Sequence, residues 1–129
     1  MSHNHQKKIA VINDFCGFGR CSIAASLPII SPMKIQWCPL PTSIFSNHTR
    51  FESFYYTDYT EHMNLYMDEW KKLDLQFEGI LTGFLGSPEQ IGIVKRFLEL
   101  FKTENNITVI DPVMGDYGKL YPTYSPDLA

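Results

Sequence analysis

The chain has 129 residues, 44% of them hydrophobic and 19% charged, with a formal net charge of -3. That balance suits one globular domain with a real core and excludes a disordered or fibrous chain. The slight acidity leaves no electrostatic footprint for nucleic acid or an anionic membrane, and no apolar run approaches the roughly 20 residues needed to span a bilayer.

Residues 1–7 form a polar tail, which carries His3 and His5 and lacks the apolar core of a signal peptide. A cytoplasmic protein is the expectation. Lys8–Asn13 reads as the first strand. Asp14–Arg20 follows as a glycine-bearing loop that is neither GxGxxG nor a Walker A loop. Asn13 and Asp14 are candidates to hydrogen-bond a small polar ligand there; the competing reading is a turn that merely needs its glycines. Cys21–Ile30 reads as a helix that Pro28 must bend or end. Ile35–Leu40 reads as a short second strand closed by Pro39 and Pro41.

Ser43–Thr60 has no clear period and is dense in aromatic and polar residues. A long non-periodic stretch inside a compact domain suits a lid. Within it, Ser46-Asn47-His48-Thr49-Arg50 offers donors and acceptors, and the neighbouring aromatics can cover a planar ligand or dock on the sheet edge. His48 is a candidate acid or base, or simply a hydrogen-bonded loop residue. Glu61–Leu73 reads as a helix and Gly79–Phe84 as the third strand. Phe84 can stack on an aromatic ring or pack in the core. Ser87-Pro88-Glu89-Gln90 reads as a helix start with a capping box. Ile91, Val94, Phe97, Leu98 and Phe101 then fall on one apolar face.

Ile107–Ile110 is β-branched and apolar apart from Thr108, which predicts a buried parallel strand stopped by Pro112. Asp111 and Asp116 follow at its carboxyl end, the edge where open α/β sheets bind ligands. Paired carboxylates there suit Mg²⁺ and phosphates; the competing reading is ordinary turn capping by aspartate. Cys16, Cys21 and Cys38 are odd in number and lack CxxC spacing. Free, buried or half-buried thiols are expected, since a zinc site would need a fourth ligand. Ser125-Pro126-Asp127 is a further helix start at which the sequence stops, so the chain is expected to be the front part of a longer protein. The alternation of strands and helices predicts an α/β, doubly wound, mainly parallel sheet with helices on both faces.

Four segments, taken together, resemble the pyridoxal/pyridoxamine (vitamin B6) kinases of the ribokinase-like superfamily. They are Ile12–Ser22, Phe45-Ser46-Asn47-His48-Thr49-Arg50, Thr82–Ser87, and Asp111-Pro112-Val113-Met114-Gly115-Asp116 with Tyr121-Pro122 beyond. The resemblance implies that residues 8–129 are the N-terminal portion of a single ribokinase-like kinase domain, with a lid-like segment at about 43–60. It implies ATP-dependent phosphorylation of the 5′-hydroxymethyl group of pyridoxal, pyridoxamine or pyridoxine. Asn13, Asp14, Thr49, Arg50 and Phe84 would meet the substrate. Asn13 stands where these kinases usually have a serine, and Phe84 where a tyrosine often stacks. Asp111, Asp116 and Tyr121 would lie near the ATP phosphates, with Asp111 and Asp116 near Mg²⁺, directly or through water. A homodimer is implied as well.

The catalytic aspartate of this family sits in a late GxGD loop, and this sequence contains no GxGD. No catalytic base is therefore assigned within the chain, and the chain alone is expected to be inactive. A hydroxymethylpyrimidine kinase of the same superfamily and a non-catalytic α/β small-molecule-binding module are the alternatives.

Overall fold

The computed structural model describes residues 3–128. Seven strands and three helices follow in chain order: β1 (Lys8–Phe18), α1 (Ser22–Ile30), β2 (Gln36–Asn47), β3 (Tyr56–Asp58), α2 (Thr60–Lys72), β4 (Gly79–Thr82), α3 (Pro88–Phe101), β5 (Ile107–Ile110), β6 (Gly115–Asp116) and β7 (Lys119–Leu120). The main sheet runs β3-β2-β1-β4-β5, and β6-β7 form a separate small hairpin. Strands β2, β1, β4 and β5 are parallel; only β3 is antiparallel, paired with the end of β2. Among the described residues no helix is long and apolar enough to cross a membrane.

Alternation along β1 divides the sheet into two faces. Ala10 and Ile12 point to one side, into a core with Leu40, Met63, Met67, Phe77, Ile80, Ile93 and Phe97. Helices α2 and α3 cover this side. Phe97, fully buried, meets the rings of Phe77 and Phe101 at 6.0 and 4.6 Å. Val11 points the other way, towards the side that α1 covers with Ile23, and both are buried. The helices therefore lie on both faces, as the strand–helix alternation predicts.

Four local expectations are corrected. First, β1 does not stop at Asn13. It bulges between Asn13 and Phe15 and continues to Phe18, because β2 also continues and pairs with it (Phe15 with Ile44, Cys16 with Phe45, Phe18 with Asn47). Second, Pro39 and Pro41 do not close β2. The Gln36 N–H bonds the Lys7 carbonyl on the β1 side, so residues of opposite parity turn their N–H positions to the open edge. The prolines fall on that parity, where a missing donor costs no ladder bond.

Third, Ser87 makes no side-chain cap, and Gln90 does not close a capping box. Gln90 is instead buried, replacing Ile91 on the packed face of α3. Its Nε2 donates to the Thr42 carbonyl and the Thr60 hydroxyl, while its Oε1 accepts the Gly86 N–H at 2.7 Å. Fourth, β5 is parallel but not buried: Ile107 is 72% exposed and Ile110 61%. It is the last strand of the sheet, and among the described residues neither a further strand nor a helix covers it. Pro28, by contrast, leaves α1 two more residues before a 3₁₀ turn at Ser31–Met33 ends the element.

Candidate functional site

The carboxyl ends of the parallel strands open into a crevice. The β1 end and the start of α1 contribute Asp14, Cys16, Cys21 and Ser22; the β2 end contributes Phe45, His48 and Thr49. Phe84 comes from the turn after β4, and Val113, Tyr121 and Thr123 come from the segment after β5. Phe45 anchors the aromatic wall. It stacks on Tyr56 at 5.1 Å and meets Phe84 edge-on at 6.0 Å. The extension of β1 packs tightly under the 43–60 segment. A Cβ on Gly17 would fall 2.9 Å from the Ser46 carbonyl, and one on Gly19 would fall 2.9 Å from the His48 Cβ. Gly19 also has φ +87°, a conformation natural to glycine.

Asp14 lies at the floor of the crevice and is 6% exposed. Burial pushes its carboxyl above the usual carboxylate range, opposed by hydrogen bonds from Ser22 and Cys16. The Cys16 thiol donates to Asp14 Oδ2 at 3.6 Å. Burial, then the neighbouring Cys21 thiol, pushes the Cys16 thiol well above its ordinary range. The Tyr121 hydroxyl is raised mainly by burial and next by Asp116. A buried carboxyl beside aromatic faces favours a planar ligand with polar groups at its edge.

The segment between β2 and β3 is tied down at Arg50. Arg50 Nη2 pairs with Asp116 Oδ2, and its guanidinium sits 5.1 Å from the centre of the Tyr117 ring. This joins the segment after β2 to the β6-β7 hairpin across the mouth of the crevice. Both partners are about half exposed, so the pair positions the hairpin rather than adding much stability.

No family model matches the sequence. Solved structures do match. One from Bacteroides thetaiotaomicron, assigned as a phosphomethylpyrimidine kinase and crystallised with pyridoxal, is 46% identical with a TM-score of 0.92; the match covers 95% of this chain and 43% of that one. A pyridoxal kinase from Lactobacillus plantarum is 28% identical with a TM-score of 0.85, over 95% of this chain and 44% of that one. A pyridoxal kinase from Leishmania donovani, in complex with ADP and pyridoxamine, shares the fold at 18% identity and a TM-score of 0.86, over 94% and 45% of the two chains. The chain has the N-terminal part of a ribokinase-like fold. It spans a little under half the length of the structures it matches.

Within this ribokinase-like sheet the candidate residues divide into three groups. Asp14, Thr49, Phe84 and Tyr121 share the crevice. Arg50 and Asp116 meet beside it, in a shallow depression that Thr49 and Tyr121 also border. Asp111 borders a different, mostly apolar hollow with Ile91, Leu98 and Ile110. The two aspartates thus do not line one cavity. Each can still offer an oxygen to a hydrated Mg²⁺, which commonly binds through one or two carboxylates plus phosphates.

Asn13 does not line the crevice. Its Oδ1 accepts the N–H groups of Asp14 at 3.0 Å and Phe84 at 2.9 Å, clamping the bulge of β1 to the turn after β4. A Cβ on Gly83 would stand 2.4 Å from the Asn13 amide nitrogen, so the clamp fits only against glycine. Sequence reasoning assigned no ligand role to Cys16, Cys21, Ser22, Phe45, Val113 or Thr123. The one usable signal was period two: a strand continued past Asn13 would have placed Asp14 and Cys16 on the same face.

Proposed function

We propose that the chain forms the substrate side of an ATP-dependent kinase that phosphorylates the 5′-hydroxymethyl group of a vitamin B6 vitamer. The observation that carries this reading is the crevice itself. At the carboxyl ends of parallel strands, Phe84 and Phe45 supply aromatic faces while Asp14 and Thr49 supply polar groups. The relative at 46% identity was crystallised with pyridoxal, which supports the same reading.

Phosphoryl transfer depends mostly on positioning and on neutralising phosphate charge. In this reading Phe84 stacks on the pyridine ring, and Asp14 and Thr49 hydrogen-bond its edge substituents. Asn13 acts one step back by fixing Asp14 and Phe84. Arg50 and Tyr121 lie towards the transferred phosphate, with Asp111 and Asp116 at the outer edge. ATP brings the phosphoryl group, and Mg²⁺, when bound, offsets the phosphate charge. The base that takes the hydroxymethyl proton is assigned to no residue of this chain, so the 129 residues alone are expected to lack turnover. A cytoplasmic homodimer belongs to the same reading, the dimer resting on the family resemblance alone.

A hydroxymethylpyrimidine is the second reading, favoured by the name given to the Bacteroides relative. Both rings are planar, nitrogen-bearing and carry a hydroxymethyl arm. Equilibrium titration separates them. Pyridoxine, which has no aldehyde to react with lysines, should bind the chain at least about tenfold tighter than hydroxymethylpyrimidine, a gap of roughly 1.4 kcal/mol. The reverse order moves the substrate to the pyrimidine. Binding of neither rejects the crevice as the substrate site.

A further inference from the structure

The floor of the crevice carries two thiols, Cys16 and Cys21, that the kinase reading leaves unused, beside Asp14, which that reading gives to the substrate. A carboxylate oxygen of Asp14 and the sulfurs of Cys16 and Cys21 lie within 4.8 Å of one another. Asp14 and Cys16 are buried and Cys21 is half-buried. The pieces come from separate elements: Asp14 and Cys16 from the extended end of β1, and Cys21 from the residue that opens α1. The φ +87° turn at Gly19 brings them together.

We propose that Asp14, Cys16 and Cys21 form a three-ligand site for Zn²⁺ or a similar thiophilic divalent cation, with the fourth position open to the crevice. The Cys16–Asp14 separation suits a tetrahedral ion. With Zn–S near 2.3 Å and Zn–O near 2.0 Å, a tetrahedron places sulfur and oxygen about 3.5 Å apart. Cys16 Sγ and Asp14 Oδ2 are 3.6 Å apart without any ion. Two sulfurs and one carboxylate form a donor set for zinc, not for magnesium.

The arrangement also has reason to take up a cation. It packs two thiols against a buried carboxyl, with one donor atom from each residue within 4.8 Å of the others. A dication would draw these donors together, and each thiol that binds releases its proton to solvent. His48 lines the same crevice, but its Nδ1 accepts the Arg50 N–H at 3.0 Å. The fourth position is therefore left to water or to a crevice ligand, the arrangement of zinc sites that do chemistry.

The proposal stands on the cluster; it shares Asp14 with the kinase reading, and metal uptake in the absence of vitamer and nucleotide tests it separately. It is tested on the 129-residue chain, reduced with a phosphine and titrated with Zn²⁺ or Co²⁺ in the absence of vitamer and nucleotide. The expected result is one equivalent of metal, with thiolate-to-cobalt charge-transfer absorption in the near ultraviolet. Cys21→Ser should abolish that absorption. Asp14→Asn should weaken binding more than about tenfold, the lower end of what losing even an outer-shell partner costs. Cys38→Ala, which alters a thiol elsewhere in the core, should change neither. Alkylation of the unaltered chain, followed by mass spectrometry, gives a readout that needs no variant. Zn²⁺ should shield Cys16 and Cys21 and leave Cys38 as reactive as before. Absence of saturable uptake, uptake unchanged by Cys21→Ser and Asp14→Asn, or equal shielding of all three thiols overturns the site.

Discussion

The middle of the sheet and its β5 edge differ in how well they are covered. Around β1 and β2 both faces are covered, and Ala10, Val11, Ile12 and Leu40 are fully buried. At β5, Ile107, Val109 and Ile110 are all more than half exposed. The same kinds of side chain occupy both regions, so the difference lies in what covers them. Apolar residues stabilise in proportion to the area taken from water, and β5 leaves most of that area in water. An uncovered apolar strand at a sheet edge is also a template for pairing with another chain.

Truncation tests this contrast most sharply. Phe97→Ala in α3 empties a fully buried site and should cost about 3–5 kcal/mol in urea unfolding. Val109→Ala on β5 should change stability by less than about 0.5 kcal/mol. Equal costs at the two sites would dissolve the distinction. Next in size is Gly83→Ala. Its new Cβ would collide with the Asn13 side chain and break the clamp on Asp14 and Phe84. A loss of about 2–3 kcal/mol is expected by thermal unfolding, and a neutral result would show that Asn13 can move aside freely. Self-association is the third test. Val109→Lys should shift sedimentation of the isolated chain towards monomer at concentrations where the unaltered chain associates, because a charge on an edge strand blocks pairing.

The smallest effect concerns acidity. Burial holds the Asp14 carboxyl above its unfolded value, so between those two values the native state binds more protons than the unfolded state. Its contribution is present below the unfolded value and is lost as pH rises through the folded one. Asp14→Asn should therefore flatten the fall in stability above the ordinary carboxylate range. It should leave the chain at neutral pH at least as stable as before. A steeper fall in the variant would reverse the sign.

Much of the frame was legible in the sequence because it depends on local pattern. Helices α2 and α3 and strand β4 lie within a few residues of where caps, periodicity and glycine turns put them. What the sequence hid was non-local. Whether Asp14–Phe18 is loop or strand depends on a partner some thirty residues away, and β2 supplies it. Pro39 and Pro41 look like strand breakers until it is known which edge their nitrogens face. Ile107–Ile110 has the composition of a buried strand, yet burial belongs to the neighbours and not to the residues. In the site, residue types at strand ends singled out Asp14, Phe84 and the Ser46–Arg50 run that holds Thr49, while Tyr121 came only from the family resemblance; the four line one crevice. The supporting role of Asn13 and the meeting of Cys16 with Cys21 required the bulge and turn to be seen.

Pyridoxine binding to the unaltered chain and to Phe84→Ala tests the crevice most directly. Saturable one-to-one binding, weakened roughly tenfold (about 1.4 kcal/mol) when the stacking ring is removed, is the expected result. Binding equally strong in Phe84→Ala, or none in either chain, contradicts a vitamer seated between Phe84 and the floor at Asp14.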